Sequence, residues 1–264
     1  MKARFLCPSA IALVFSVSAS DLAAQDIQGG TVKYQQVKKH DFKKVFAGFI
    51  DEDNSRAKEW IASLPTESKR VKVLHFTKER ALYEEDPKAN EALPRNLQGA
   101  LARAAHIQPP QSELMKVYCD FGKNKKTEEI SFMTRDFVVE SEIERTAWKL
   151  TNKQVKILNF TCMSAELKKG DDTITAWFTP EIPISTGPDV FFGLPGLILA
   201  VEINGETAFM ATSVDLNPPA EGVLSKPDKG KKVSLEEFKK IMAEKIKEFK
   251  ELQGKQEGRR RDRR

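Results

Sequence analysis

The chain has 264 residues, enough to bury a substantial core in one or two domains, and a formal net charge of +5. Its two ends carry that charge: without the two basic residues at the start and the arginine-rich tail at 259–264, 36 basic and 37 acidic residues remain. A body of nearly balanced charge argues against a nucleic-acid partner, because such binding usually needs a basic face on the folded domain.

The first 24 residues have the pattern of a secretory signal peptide. Lys2 and Arg4 precede an apolar stretch at 5–19 that is too short to cross a bilayer, and two alanines offer a cleavage site before Gln25. No later apolar run approaches the roughly 20 residues of a membrane helix. We therefore expect a soluble mature protein, located in the periplasm or secreted.

The first half of the mature chain alternates between strand and helix patterns. A strand is predicted at 31–38, a helical insert at 41–64 and a hairpin at 69–84. Prolines then bracket a second helical insert at 88–108, whose helix is centred on 96–105.

From Ser112 onward the sequence predicts successive antiparallel strands joined by short turns. They are predicted at 113–121, 127–132, 136–142, 146–150, 153–167, 173–179, 197–203 and 206–214. Asn204-Gly205 is the strongest hairpin signal, because both turn residues need positive φ. Strands as long as 153–167 in an open sheet twist and curl. The predicted fold class is α+β, a curved antiparallel β-sheet meander with helices packed on one face.

An amphipathic C-terminal helix is predicted at 234–253, opened by the capping box Ser234-Leu235-Glu236-Glu237. Seven apolar residues share one face of it: Leu235, Phe238, Ile241, Met242, Ile246, Phe249 and Leu252. We expect this face to dock onto the sheet. Residues 254–264 are predicted to be a disordered basic tail, with weak contact to a membrane surface or another polyanion.

A proline and two glycines interrupt the apolar run PDVFFGLPGLIL at 188–199. Leu194-Pro195-Gly196-Leu197 has proline second and glycine third, the signature of a type II turn. A phosphate-binding loop would need a following helix and a lysine, and neither is present. The turn would lead into a strand at 197–201 that is covered on both faces.

The same stretch resembles the signature of the GLPGLI family, exported proteins of outer-membraned bacteria. The matching residues are Gly193, Leu194, Pro195, Gly196, Leu197 and Ile198, with upstream support from Trp148, Trp177, Pro180, Pro183, Gly187 and Pro188. The resemblance extends over most of the mature chain and implies a single GLPGLI-like domain at 25–253. It implies an envelope protein with no securely attached activity, and a link to outer-membrane uptake or metal handling in some members.

The sequence contains no recognisable catalytic motif. Its three histidines, His40, His75 and His106, form no metal-binding pair, and there is no Gly-x-Ser-x-Gly elbow. Asp171-Asp172 follows a glycine and indicates a turn rather than an acid/base pair. We therefore predict neither catalytic residues nor a cofactor.

Cys119 and Cys162 are the two cysteines that remain after export. Both are in predicted strands, and in an oxidising envelope they could form a disulfide worth roughly 4 kcal/mol in the chain-entropy model. The alternative is a metal site with soft ligands from Cys162, Met163, Met115 and the histidines, although no spacing supports it. Both alternatives stay open.

Two classes of function remain at this point. The first is a non-enzymatic binding or accessory protein of the envelope, linked to outer-membrane uptake, with an unknown ligand or envelope partner. Periplasmic handling of a copper-type metal is a variant of this class. The second class is a hydrolase with dispersed catalytic residues.

Overall fold

The computed structural model describes residues 27–50, 53–144 and 146–261, so the predicted signal peptide lies outside the described residues. Within this part of the chain there are one 12-stranded mixed sheet and four helices, in agreement with the predicted α+β class.

The strands are β1 Gly29–Lys39, β2 Glu67–Thr77, β3 Arg80–Glu85, β4 Ser112–Asp120, β5 Lys125–Phe132, β6 Arg135–Glu142, β7 Lys149–Ile157, β8 Phe160–Lys169, β9 Asp172–Thr179, β10 Leu197–Ile203, β11 Thr207–Asp215 and β12 Lys231–Ser234. The helices are α1 Phe42–Phe46, α2 Ser55–Ala62, α3 Arg95–Ile107 and α4 Leu235–Arg261.

Two antiparallel meanders build the sheet. Strands β1 to β6 and β7 to β11 each follow chain order, and the two meanders join where β1 pairs with β11. Asn204 and Gly205 take φ values of 53° and 69° in the β10–β11 turn, as the hairpin signal predicts. Strand β12 adds to β6 in parallel, so the sheet is mixed. The curvature of the sheet stays a prediction.

The long strand predicted at 153–167 is two strands in the structure. Strand β7 ends at Ile157 and β8 begins at Phe160, and Leu158 takes a φ of 54° in the turn between them. Leucine rarely adopts a positive φ, so the residue type at position 158 gives no indication of a turn. Strand β12 is absent from the prediction because a four-residue segment is too short to show a period.

A loop between β9 and β10, residues 180–196, packs into the main hydrophobic core of the sheet. Its Ile182, Phe191 and Leu194 belong to the same buried cluster as Val32 and Leu74 of the β1–β2 pair. The residues of β10 from 197 to 201 are all buried, as their lack of alternation predicts. The interrupted apolar stretch therefore contributes both a core strand and part of the core's cover.

Helices α1, α2 and α3 pack mainly against each other. Their buried cluster consists of Phe42, Phe46, Leu64, Leu97, Ala100 and Ala104, and among the described residues it includes no strand residue. The guanidinium of Arg103 lies 4.7 Å from the ring centre of Trp60. This differs from the prediction that the helices of the two inserts cover the sheet, because their short apolar stripes bury one another instead.

The first half of α4 docks onto the sheet as predicted. Phe238 is buried, with ring centroids 6.2 Å from Phe132 and 5.3 Å from Phe137. The Glu237 backbone N–H donates to Ser234 Oγ at 3.1 Å, in agreement with the capping box. The helix runs to Arg261, past the predicted end at 253, so helix replaces much of the predicted disordered tail. Most residues added there favour helix, and extending a helix needs no new nucleus.

Within the described residues, no helix combines the length and the apolar character that crossing a membrane requires.

Candidate functional site

A cavity of about 290 Å³ lies between the 180–196 loop and the ends of strands β4, β5 and β6. Its apolar lining includes Phe121, Ile143, Ile184 and Phe192, and its polar lining includes Lys78, Asn124, Glu144, Thr146 and Ser185. Apolar walls with a few polar groups are typical of small-molecule sites, and this volume suits a small ligand. A second cavity, of about 400 Å³, lies beside residues 89–94. We regard the first as the candidate site because the 180–196 loop, which carries the interrupted apolar motif, forms one of its walls.

Two family-like residues shape the wall of this cavity. The indole Nε1 of Trp148 donates to the Phe192 carbonyl oxygen at 2.9 Å, and the Gly193 N–H donates to Ser185 Oγ at 3.0 Å. Gly193 has a φ of 94°, which glycine adopts without a steric penalty. Both residues therefore hold the loop in place through its backbone.

Gly196 is needed where two backbone segments approach closely, and the predicted type II turn is wrong. The Gly196 N–H donates to the Leu194 carbonyl at 2.8 Å, whereas the Leu197 N–H donates to Ile182 at 3.0 Å. A type II turn would place φ of Gly196 near +80° and would bond residue 197 to residue 194, but φ is 153°. A Cβ at this position would overlap the Thr179 carbonyl oxygen.

The other family-like residues are structural in their contacts. Leu194, Leu197 and Ile198 are buried in the core, as are Gly187 and Pro188, while Pro180, Pro183 and Pro195 are exposed. A Cβ on Gly187 would lie 2.7 Å from Ile198 Cβ, so this glycine also permits close packing. Trp177 packs against the core, and Pro183 lines the cavity.

A row of ionisable side chains lies on one face of strands β2, β3 and β5. We call it the ionisable row: Lys72, Tyr83, Glu85, Lys126 and Glu128. Tyr83, Val117 and Glu128 are successive cross-strand partners, so their side chains share a face. Lys72 Nζ lies 3.3 Å from Glu85, and Lys126 Nζ lies 2.8 Å from Glu128. The Lys72 and Glu128 side chains are only 7% and 10% exposed, so this is an unusual amount of buried charge.

Asp189 of the 180–196 loop acts electrostatically on this row. Its φ of 57° lies in the left-handed region, which aspartate tolerates better than most residues. Burial raises the pKa of its carboxyl to about 6, and the negative charge of Glu128 adds to this shift. Two influences oppose it: the Val190 N–H, which donates to Oδ1 at 2.8 Å, and the positive charges of Lys72 and Lys126. A carboxyl with such a pKa can either donate or accept a proton near neutral pH.

Two buried hydroxyls have no hydrogen-bond partner among the described residues, those of Tyr83 and Ser141. Tyr83 is 4% exposed, and burial, followed by the charge of Asp189, raises its pKa. Ser141 of β6 is the cross-strand partner of Lys126 and shares its face. An unsatisfied buried hydroxyl costs about 1–3 kcal/mol, so such groups indicate a place for a ligand or water.

The cysteines do not form the disulfide that the sequence leaves open. Cys119 and Cys162 are free, buried thiols on β4 and β8, which six other strands separate in the sheet. Burial raises their pKa values to about 12 and about 11, which disfavours the thiolate that metal binding requires.

The predicted metal ligands are not brought together either. Met163 lies beside Cys162 on β8, whereas Met115 lies on β4. His40 and His75 are hydrogen bonded to Ser68 and Thr31. Across the part of the chain that the structure describes, no three histidine, cysteine or acidic side chains are grouped to hold a metal.

The sequence prediction did not include Asp189, Tyr83, Glu128 or Ser141. A signal for one of them existed: β5 alternates, and its Lys126 and Glu128 fall on the same face as the buried Ile130 and Phe132. Charged side chains are rarely buried on the apolar face of a strand unless they are paired.

Residues 166–200 match the model of a family described as a protein of unknown function (Porph_ging). This stretch contains the end of β8 from residue 166, all of β9, the 180–196 loop and the start of β10, so it includes one wall of the cavity. The match shows that this segment is similar to the family, and the GLPGLI name stays an interpretation.

Two solved structures of PNGF-II, in space groups P21 and C2, are similar to the fold, with TM-scores of 0.51 and 0.52. Both are 14% identical in sequence and cover 83% of this chain, which spans about one third (34% and 33%) of their length. At this identity the likeness shows the fold alone. No curated protein matches the chain significantly.

Proposed function

We propose that this chain is an exported envelope protein that binds a small ligand beneath the 180–196 loop. In this role it is a non-enzymatic binding or accessory protein linked to outer-membrane uptake. The observation that carries the binding role is the cavity itself, whose mainly apolar walls include a few polar side chains. The N-terminal pattern and the resemblance of the motif segment support the envelope location and the link to uptake.

Native mass spectrometry of the protein purified from its own host envelope tests the binding role. We expect a retained small molecule on the wild type and none on Glu144→Trp, because residue 144 is exposed and lines the cavity, where an indole would fill the space. Glu206→Trp is the matched control, since Glu206 is an exposed residue of the β10–β11 turn. Wild type without a retained molecule, or retention that survives Glu144→Trp, contradicts the proposal.

A hydrolytic activity is the second candidate, and a specific pair of residues favours it. Asp189 has a raised pKa, whereas Glu128 is ion-paired with Lys126, so two carboxyl groups are in different electrostatic environments. Acid/base catalysis uses such pairs. Turnover of p-nitrophenyl esters or glycosides by the wild type, lost in Asp189→Asn and Glu128→Gln, would establish this activity. Absence of turnover would leave the binding role.

The proposed export predicts a shorter mature chain. We expect removal of residues 1–24, because a basic start, a short apolar segment and small residues precede Gln25. Intact-mass analysis of the periplasmic fraction measures this loss, and full-length protein in the cytosol would contradict it.

A further inference from the structure

We propose that the second cavity, beside residues 89–94, is a groove in which an extended, acidic peptide segment of a partner protein adds to the unpaired edge of β2. Among the described residues, the two cavities share no lining residue, so this site is separate from the candidate small-ligand site. The inference adds a protein partner to the proposed binding role and does not depend on the small ligand.

Strand β2 is longer than the strand that covers one of its edges. On one side it pairs with β1 over its whole length, from Glu67 to Thr77, whereas on the other side β3 pairs only with residues 72–76. Next to β3, the side chain of Asn90 takes the place of a strand residue. Its Oδ1 accepts from the Val71 N–H and its Nδ2 donates to the Val71 carbonyl oxygen, both at 2.7 Å. The hydrogen-bonded part of this edge therefore ends at Val71.

The backbone groups of Glu67 and Lys69 point away from β1, toward the groove. The Val71 N–H bonds to Asn90 and not to β1, and backbone groups two apart along a strand point to the same side. The His40 N–H donates to the Thr66 carbonyl at 2.7 Å, which agrees with the even-numbered residues facing β1. Within the described part of the chain, the N–H and C=O groups of Glu67 and Lys69 have no hydrogen-bond partner.

The groove has room for an extended chain along these free groups. Its volume is about 400 Å³, and its lining combines the edge of β2 at 67–71 with the 89–94 loop and Leu97 of α3. Leu93 and Leu97 make part of the wall apolar. A peptide strand of four residues spans about 13 Å and can exchange hydrogen bonds with both free residues. Free strand edges bind extended peptides in this way in many recognition domains.

The charges around the groove favour an acidic segment. Basic residues at this end of β1 and β2 outnumber the acidic residues that line the groove: Lys38, Lys39, Lys69 and Arg70 against Glu67 and Glu91. Lys69 Nζ lies 3.0 Å from Glu67, but both side chains are exposed, so water weakens this ion pair. An acidic side chain opposite Lys69 in an added strand would form a favourable cross-strand pair.

A second copy of this chain fits the groove less well than an acidic partner does. The strands at the two ends of the sheet, β7 and β12, are the free edges that another copy would offer from the described residues. Strand β7 carries three lysines and β12 carries two, and neither has an acidic residue. Like charges would therefore oppose each other. Because the same lysines make β7 a competing site for an acidic peptide, a charge variant of β7 is needed to separate the two sites.

Fluorescence anisotropy of labelled hexapeptides with the purified protein tests the inference. The probes alternate Glu or Asp with Val, Thr or Ile, and a matched set has Lys in place of each acidic residue. We expect at least one acidic probe to bind and its Lys counterpart to bind at least about tenfold more weakly. The same acidic probe methylated on every backbone nitrogen should not bind, because it has no N–H groups to donate to β2.

Two substitutions in the groove test where the probe binds. Ala92→Trp, at an exposed lining residue, should abolish binding by filling the groove, whereas Ala243→Trp, at an exposed position of α4, should leave it unchanged. Lys69→Glu should weaken the acidic probe about tenfold and strengthen the Lys probe. Lys153→Glu, on β7, should change neither. Thermal unfolding checks that all four variants keep the fold, as expected for exposed positions.

Each contrary outcome overturns the inference. These outcomes are no binding of any acidic probe, tighter binding of the Lys probes, equal binding of the methylated probe, binding that Ala92→Trp leaves intact, and binding that Lys153→Glu weakens as much as Lys69→Glu does. If Ala92→Trp unfolds, the charge reversal at Lys69 decides alone. Failure of this inference leaves the small-ligand proposal standing, because Glu144→Trp tests that proposal at the other cavity.

Discussion

Gly196 and Asp189 lie in the same loop, and both have a positive φ, of 153° and 57°. For Gly196 the cause is a neighbouring backbone that leaves no room for a side chain. For Asp189 the conformation accompanies a carboxyl that lies among buried charges. Packing thus explains the conformation of Gly196. Asp189 combines a strained backbone with a buried carboxyl, a combination that is often found in functional residues.

Gly196→Ala should lower the free energy of unfolding by at least about 1 kcal/mol. The added methyl group would overlap the Thr179 carbonyl, and its φ disfavours alanine. Thermal unfolding measures the change. Gly99→Ala is the control: Gly99 lies in α3 with open space around it, so alanine there should stabilise slightly. If Gly196→Ala unfolds like the wild type but loses ligand binding, the structural role is wrong.

Asp189→Asn should increase stability near and above neutral pH. The folded-state pKa of about 6 exceeds the unfolded value of about 3.9, so the folded chain binds more protons between them. The contribution of this carboxyl is fully present below about pH 4 and is lost as the pH rises through about 6. Asparagine tolerates the left-handed φ and keeps an oxygen for the Val190 N–H.

Denaturant unfolding at about pH 4 and about pH 8 measures this effect. Relative to Asp189→Asn, the wild type should lose about 2 kcal/mol over that interval, from a pKa difference of about two units. If the wild type instead gains stability relative to Asp189→Asn as the pH rises, the predicted direction of the pH dependence is wrong.

At the scale of elements, the first turns of α4 fix the helix to the β6–β12 end of the sheet. Phe238 lies in a buried cluster with Phe132, Phe137 and Val233, whereas Leu252 is 60% exposed. Docking energy is therefore concentrated in the N-terminal half of the helix. At the other end Gln253 Nε2 donates to the Ile107 carbonyl at 2.9 Å, which places α4 against the end of α3.

Phe238→Ala should lower the free energy of unfolding by about 3 kcal/mol, because it leaves a cavity among well-packed rings. Leu252→Ala, on the same helix, should change it by less than about 0.5 kcal/mol. Denaturant unfolding of both variants checks the difference. Equal effects would mean that α4 is held along its whole length.

At the scale of the whole molecule, charge is divided between a nearly balanced body and a cationic C-terminal end. Deleting residues 259–264 should leave the melting temperature unchanged, since the buried contacts of α4 lie near its start. Any binding lost should be weak contact with anionic vesicles, such as phosphatidylglycerol, that fades above physiological salt. A melting temperature lowered by several degrees would show that these residues are packed. Tight, sequence-selective binding of DNA or RNA by the intact protein would contradict the envelope interpretation.

The sequence by itself determined most of the strands, the Asn204-Gly205 hairpin and the cap and docking face of α4. Each of these depends on the period of apolar residues or on turn and capping chemistry within a few positions. The Leu158 turn and strand β12 have no such local signal, and neither does the mutual packing of α1, α2 and α3.

Only the tertiary structure decided the candidate site. It places Asp189 near Tyr83 and Glu128, which are 106 and 61 positions away in the sequence. It also shows which hydroxyls lack partners and why Gly196 must be glycine. Local patterns can show that a residue lies on a buried face of one strand. Strand order and the path of the 180–196 loop decide which residues from distant strands share that space, and those depend on long-range packing.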